Sequence, residues 1–343
     1  MTRRAACTGL GAAALGFIAG PGAAEPEVWG VWKDAFLDDS GRVLDDTQGV
    51  SHSEGQGYGL LLAQAHGDRT AFEAIEAWTR VHLVVRGDAL MAWRWRPGAG
   101  TPDLQTATDG DLLRAWALLR AARDSGWEGH EAKALANARD LATHCLVPDP
   151  RAPDEPLLSP FADPEGGGSA VLVNPSYYHT RAMRELGAAA GVPELVRAAD
   201  HGETLLAEVA AKSWLPDWLV VTGQGPAMAE GYSPAMGYDA LRIPLYLAWS
   251  GRADHPAVAA ARMLKARVND ALPDGHVPTV ISREGRLVAA SDYPGYRALW
   301  ALVEAPARET RALGLVAPQG QPYYPATLGL LAEVAAREGG PWG

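Results

Sequence analysis

The chain is 343 residues long and 48% apolar, with a formal net charge of −11. That length buries a large core, as one barrel-sized domain or two smaller ones. An acidic balance with no basic tract argues against nucleic acid, and against an anionic polymer as substrate. Twelve Trp and ten Tyr stand against four Phe, and rings with flat apolar faces and polar tips suit sugars as well as cores.

At the start, Arg3 and Arg4 precede an apolar stretch, 5–19, too short to span a bilayer, and Gly22-Ala23-Ala24 offers a small-residue cleavage site. The reading is a secretory signal over 1–24, then one catalytic domain over 25–343, placed in the periplasm or outside the cell. Loss of both arginines takes the net charge to −13. The arginine pair also allows twin-arginine export, although its flanking residues fit poorly. No later run is long and charge-free enough for a membrane span. Cys7 falls in the signal, so Cys145 has no disulfide partner in the mature chain and reads as a small core residue.

Helical periodicity then predicts a helix over 28–37, with Trp29, Trp32 and Phe36 on one face, and a second opening at Ser53. Further helices follow at 71–84, 109–122, 131–145, 174–190, 195–211, 238–249 and 257–268, with short ones at 296–302, 309–315 and 324–337. Residues 92–97 are extended and aromatic. The proline-rich stretch 148–168 reads as a long loop, 212–234 as irregular, and 273–290 as turns with a short hairpin. Consecutive helix pairs on short links imply an all-α (α/α)6 barrel, six hairpins closing into an inner and an outer ring.

The stretch Ser51-His52-Ser53-Glu54-Gly55-Gln56-Gly57-Tyr58-Gly59 is the most informative. Ser53 and Gln56 have capping-box spacing. Each glycine costs up to ~1 kcal/mol in a helix, so the glycines suggest that something approaches the backbone. Glu54, on that bare floor beside Tyr58, reads as the base of a ligand site; a solvated glutamate serving the helix dipole accounts for it too. Thr108 with Asp111 has capping spacing, and Asp109 would serve the dipole. Asn174 before Pro175 reads as an N-cap. Asp239 reads as another, or as the partner of Arg242 at i, i+3. In a barrel of hairpins the inner helices start at one end, so Glu54, Asp109, Asp111, Asn174 and Asp239 can converge on one cleft.

Carboxylates in an aromatic cleft suit glycoside hydrolysis, which needs a protonated acid at the leaving oxygen and a second carboxylate. No zinc-binding helix motif, paired cysteines, nucleophile elbow or phosphate loop is present, and no metal or cofactor is expected. Trp93, Trp95, Trp214, Trp218, Tyr177, Tyr178 and Tyr232 are candidates for stacking on sugar, with core roles equally open. Trp116 and Trp249, inside helical runs, read as core.

Four stretches in order carry a resemblance to glycoside hydrolase family 8, in particular its cellulose-synthesis endoglucanase branch. They are Ser53-Glu54-Gly55-Gln56-Gly57-Tyr58-Gly59, Ala107-Thr108-Asp109-Gly110-Asp111, Asn174-Pro175-Ser176-Tyr177-Tyr178 and Tyr238-Asp239-Ala240-Leu241-Arg242-Ile243-Pro244-Leu245-Tyr246. Tyr323-Tyr324 also fits. Arg114 departs from the pattern, where an aliphatic residue is usual, and Trp127 is displaced. The resemblance implies an (α/α)6 barrel and an inverting mechanism, with Glu54 as proton donor, Asp239 as general base and Asp111 binding the sugar at the cleavage point. Tyr58, Asn174, Tyr177, Arg242, Trp93, Trp95 and Trp218 are the further substrate-binding candidates.

The implied activity is endo-β-1,4-glucanase on cellulose chains, beside a cellulose synthase. A xylanase, lichenase or chitosanase of the same family is the alternative, and a glycan-binding subunit that does not cut is the rival from another class.

Overall fold

The computed structural model describes residues 25–164, 169–305 and 320–339. The signal over 1–24 and the helix expected at 309–315 lie outside the described residues.

The apolar spacings produce α1 (Glu25–Phe36), α2 (Ser53–Ala65), α3 (Arg69–His82), α4 (Thr108–Arg123), α5 (Glu131–His144), α6 (Thr180–Ala190), α7 (Pro193–Ala211), α8 (Arg242–Trp249), α9 (Pro256–Val268), α10 (Pro294–Glu304) and α11 (Tyr323–Glu338). Helices α2, α4, α6, α8, α10 and α11 touch in succession, and α11 returns to α2, closing an inner ring. The others pack against its outside. This is the expected (α/α)6 barrel. Ring position sets the sequence pattern: inner α4 and α8 are buried almost all round, whereas outer α3 buries one stripe.

Nearly all of the core is one cluster, with a small second one at Trp78, Leu83 and Met91. Trp29, Trp32 and Phe36 anchor α1 in the main cluster, and Trp116, Trp249 and Cys145 are fully buried, as expected. Trp214 and Tyr178 are buried as well. The Tyr178 hydroxyl accepts from the Leu158 amide, so these two rings belong to the wall and not to a sugar site.

Close helix packing accounts for the glycines. A Cβ on Gly57 would lie 2.8 Å from Leu113 Cβ, and one on Gly110 would run into Ser53 and the Glu54 amide. Helices α2 and α4 therefore meet backbone to backbone, and the bare floor is spent on this contact, not on a ligand. Neither capping box forms. His52 and Ala107 occupy the N-cap positions of α2 and α4 without side-chain bonds. Gln56 instead turns into the core, accepting from the Val43 amide at 2.6 Å and donating to Thr79 Oγ1 at 2.8 Å.

Two expected helices start late. Asn174 does cap, but it caps a 3₁₀ turn, Pro175–Tyr177, and α6 begins only at Thr180. Helix α8 begins at Arg242, which leaves Asp239 in a turn ahead of it. Strands appear where a loop and an irregular segment were expected. β3 (Leu146–Asp149) pairs with β4 (Ala152–Leu158), and β5 (Ala170–Val173), β6 (Leu219–Thr222) and β7 (Gly225–Met228) form one antiparallel sheet. The hairpin expected near 273–290 is present as β8 (Val277–Ile281) and β9 (Leu287–Ser291), and β1 (Ser51–His52) pairs with β2 (Arg94–Trp95).

Candidate active site

The inner helices bring Glu54, Asp109 and Asp239 onto one guanidinium. Arg242 opens α8 and is buried, 2% exposed. Its Nη1 contacts Glu54 Oε1 and lies 3.4 Å from Asp109 Oδ2, while its Nη2 donates to Asp239 Oδ1 at 2.9 Å and to Ser176 Oγ at 2.9 Å. The Asp239–Arg242 pair at i, i+3 is thus formed. Exposure separates the carboxylates: Asp239 is 33% exposed and Glu54 25%, whereas Asp109 is 5% exposed. The two open groups are those assigned from sequence as base and acid.

Each open carboxylate is held by buried neighbours. Tyr58, one turn after Glu54, donates to Glu54 Oε1 at 2.8 Å; its hydroxyl also bonds Tyr246 at 2.8 Å and accepts from Arg242 Nη1. Asp239 accepts from Asn174 Nδ2 at 3.0 Å and from the Trp218 indole. Asn174 Oδ1 accepts from the Ser176 amide and hydroxyl, so the 3₁₀ turn fixes the amide that grips Asp239.

One cation among three carboxylates leaves the cluster short of positive charge, and burial makes full ionisation costly. Burial, then the charge of Asp239, pushes Asp109 up to about 7. Burial raises Asp239 too, opposed by the Asn174 and Trp218 donors. The Tyr177 phenol hydrogen-bonds Asp109, and burial raises it well above its ordinary value, so it remains a donor. The arrangement can supply and accept protons at two open oxygens above a buried, charge-balancing base.

Several candidates prove to hold the site from behind. Tyr58 and Asn174 have no exposed surface and Arg242 almost none; they position carboxylates and offer a ligand no face. Asp111 faces away: fully buried, it accepts from the Met91 amide at 2.8 Å and is influenced by Arg114 and Asn137, and burial pushes it up to about 8. Asp109 takes its place in the cluster. Trp95 packs on Trp78 and His82, with Arg42 over its ring, so it is a structural ring. Trp93 is half-buried between the parallel ring of His52 and the guanidinium of Arg94, 4.0 Å from its centroid. Trp218 stacks on Tyr232 at 4.9 Å and meets Tyr177 edge-on, making an aromatic wall beside Asp239. Tyr232 and Tyr238 are exposed.

The residues sequence reasoning passed over are Ser176 and Tyr246, both inside quoted stretches. Tyr246 lies one turn after Arg242 on α8, a spacing that could have flagged it. Among the described residues no group of three or more His, Cys, Asp or Glu is disposed to hold a metal ion, and no helix is long and apolar enough to cross a membrane.

The chain and its fold have relatives. An endoglucanase of Cellulomonas uda is 34% identical over 229 residues, which cover 64% of this chain and 62% of that protein, so the match spans less than two thirds of the relative. The fold superposes on an endo-beta-1,4-glucanase from Acetobacter xylinum with TM-score 0.79 and 29% identity, covering 92% of this chain and 98% of the other. An endoglucanase from Klebsiella pneumoniae, a family 8 glycosyl hydrolase, gives TM-score 0.80 at 28% identity over 91% and 99% of the two chains. The sequence matches the glycosyl hydrolases family 8 pattern over residues 4–337. With the pattern spanning nearly the whole chain and the barrel matching as well, this chain belongs to glycosyl hydrolases family 8.

Proposed function

We propose that this protein is an endo-β-1,4-glucanase that cuts internal bonds of glucan chains by a single displacement with inversion. The observation that carries the proposal is the bridging of Glu54 and Asp239 by Arg242, with these two the open carboxylates of the cluster. Glu54 gives its proton to the leaving glycosidic oxygen. Asp239 takes a proton from a water that attacks the anomeric carbon from the opposite face, and no covalent sugar intermediate forms. Asp109, between them on Arg242, takes the sugar-holding role expected of Asp111. Trp218 and Tyr232 offer the stacking wall.

The glucan is chosen because the relatives named above are endoglucanases. The pattern of residues 1–24 supports export to the periplasm or beyond, where such chains would be met. A role beside a cellulose synthase is the matching cellular reading, resting on the family branch alone.

Reducing-end release from carboxymethyl cellulose by residues 25–343 tests the activity, with proton NMR following the anomer first formed. The α-anomer should appear first, and Glu54→Gln and Asp239→Asn should each lose on the order of 1,000-fold in kcat while keeping native circular dichroism. A protein inert on cellulose, xylan, lichenan and chitosan that still binds cello-oligosaccharides is a binding subunit, and the proposal fails.

A further inference from the structure

Asp239 lies outside any helix, in the turn before α8, yet a general base must be aimed within a fraction of an ångström. The turn is pinned at its start, where Met236 and Ile281 exchange backbone hydrogen bonds of 2.9 Å, and at its end by α8. Between these anchors the Tyr324 hydroxyl donates to the Tyr238 carbonyl at 2.8 Å, and one carboxylate from elsewhere in the chain gathers the turn's amides. Asp217, two residues ahead of β6, accepts at Oδ1 from the Gly237 amide at 3.0 Å and the Ala240 amide at 2.8 Å. The amide of Asp239 itself also hydrogen-bonds this carboxylate. The Asp217 amide in turn donates to Ala235 at 3.1 Å. A Cβ on Gly237 would run into the Asp217 carboxylate, so the turn is wrapped onto that group and requires glycine at this contact. The next residue, Trp218, hydrogen-bonds the Asp239 carboxylate.

We infer that Asp217 is the positioning residue of the base: it fixes the backbone of the turn that carries Asp239, while the adjacent Trp218 fixes the side chain. The inference rests on the proposed role of Asp239. Residues 217 and 218 thus form a two-point holder, one point on the main chain and one on the carboxylate. A neutral acceptor would serve the main chain equally well; an aspartate adds a second negative charge beside the base. That group sits among the others facing Asp239, namely Arg242 and Tyr246 on α8, Asp109 on α4, Tyr324 on α11, Tyr177 on the 3₁₀ turn with its cap Asn174, and Trp218. Burial and the charge of Asp239 raise Asp217 to about 6. Asp217 thus gains its charge only after Asp239 has ionised, and the holder acts on the base through geometry.

The test compares Asp217→Ala, Asp217→Asn and Gly237→Ala with Asp239→Asn, measuring kcat, KM, the pH dependence of kcat and thermal unfolding for each. Asp217→Ala removes the acceptor and is expected to lower kcat on the order of 100-fold with KM changed less than about threefold. Gly237→Ala should do the same, because its methyl displaces the clamp. Asp217→Asn keeps an accepting oxygen, so kcat should return to within about fivefold of wild type. If Asp217→Ala keeps kcat within about threefold of wild type while Asp239→Asn is inert, the positioning role is overturned and the base assignment stands. If Asp239→Asn is itself fully active, the base assignment has failed, and this inference with it. Should Asp217→Ala not fold, the other two variants decide: a fully active Gly237→Ala, or an asparagine variant as impaired as Asp239→Asn, overturns the proposal.

Discussion

Asp109 and Asp111 stand on the same turn of α4, and replacing each with asparagine separates a site carboxylate from a structural one. Asp109→Asn removes a negative oxygen from the Arg242 cluster. The loss expected in kcat/KM on soluble glucan is on the order of 100-fold, matching the ~3 kcal/mol of a charge-assisted hydrogen bond. Asp111→Asn should leave activity within about threefold, since its carboxylate faces Met91 and Asn137. Its signature lies in stability. Asp111 is raised from 3.8 to about 8 by burial. Asp111 Oδ2 and Asn137 Oδ1 are both buried without a hydrogen-bond partner, a pair of acceptors that a proton on Asp111 would serve. Between pH 4 and 8 the native state holds a proton that the unfolded chain has released. The contribution is therefore full below pH 4 and declines as pH rises from 4 through 8, by ~1.4 kcal/mol per unit and at most ~6 kcal/mol. An amide at this position cannot ionise and loses nothing over that window. Urea unfolding at pH 5 and pH 8 measures the difference: the stability of Asp111→Asn relative to wild type should rise by roughly 2–5 kcal/mol. Cleavage abolished in a natively folded Asp111→Asn, or a stability difference independent of pH, would refute the reasoning.

Tyr58→Phe deletes the hydroxyl that donates to Glu54, and kcat should fall about tenfold with KM unchanged, since no face of Tyr58 reaches substrate; a rise in KM alone would assign it to binding instead. Gly110→Ala drives a methyl into Ser53 and the Glu54 amide, and should cost about 2–3 kcal/mol in thermal unfolding as well as activity. Gly30→Ala, with open space around it, should instead gain up to ~1 kcal/mol. Arg114 and Glu76 form a buried bidentate pair. Glu76→Gln strands the cation and should cost about 3–5 kcal/mol in urea unfolding, while Glu76→Leu with Arg114→Leu should recover most of it.

The barrel was legible because its helices bury long apolar stripes, and a period of 3.6 survives errors at the ends. The ends themselves were not. Gln56 has the spacing of a capping partner for Ser53, yet Val43 and Thr79 offer it buried bonds from other parts of the chain, and those win. Asp239 sits where an N-cap would, but the Asn174 and Arg242 side chains claim its oxygens, and α8 starts three residues later. The β3–β4 hairpin was hidden by its prolines. Pro148, Pro153 and Pro156 are tolerated because a two-stranded hairpin has only edges, where a missing amide need not break a ladder. The departure at Arg114 has a local answer in Glu76, which lies on a different helix and carries no spacing signal.

The site shows the same division at closer range. Glu54, Asn174, Asp239 and Arg242 could be named from sequence because each lies in a quoted stretch and the barrel gathers the starts of its inner helices. Their depth could not. Tyr58 and Arg242 were expected to face a ligand, and only the side-chain hydrogen bonds that join α2 to α8 across the ring place them behind the carboxylates. Asp109 and Asp111 are the sharpest case. Residues two apart on a helix point about 200° away from each other, so a pair at this spacing sends one carboxylate into the cleft and the other into the wall. Both then meet burial, and both hold protons more tightly than usual, so neither charge nor proton affinity tells them apart. What separates them is the company each keeps: a buried guanidinium shared with two open carboxylates for Asp109, and a main-chain amide for Asp111. That company is assembled from residues more than a hundred positions away in one case and twenty in the other, so it belongs to the tertiary structure and not to the motif.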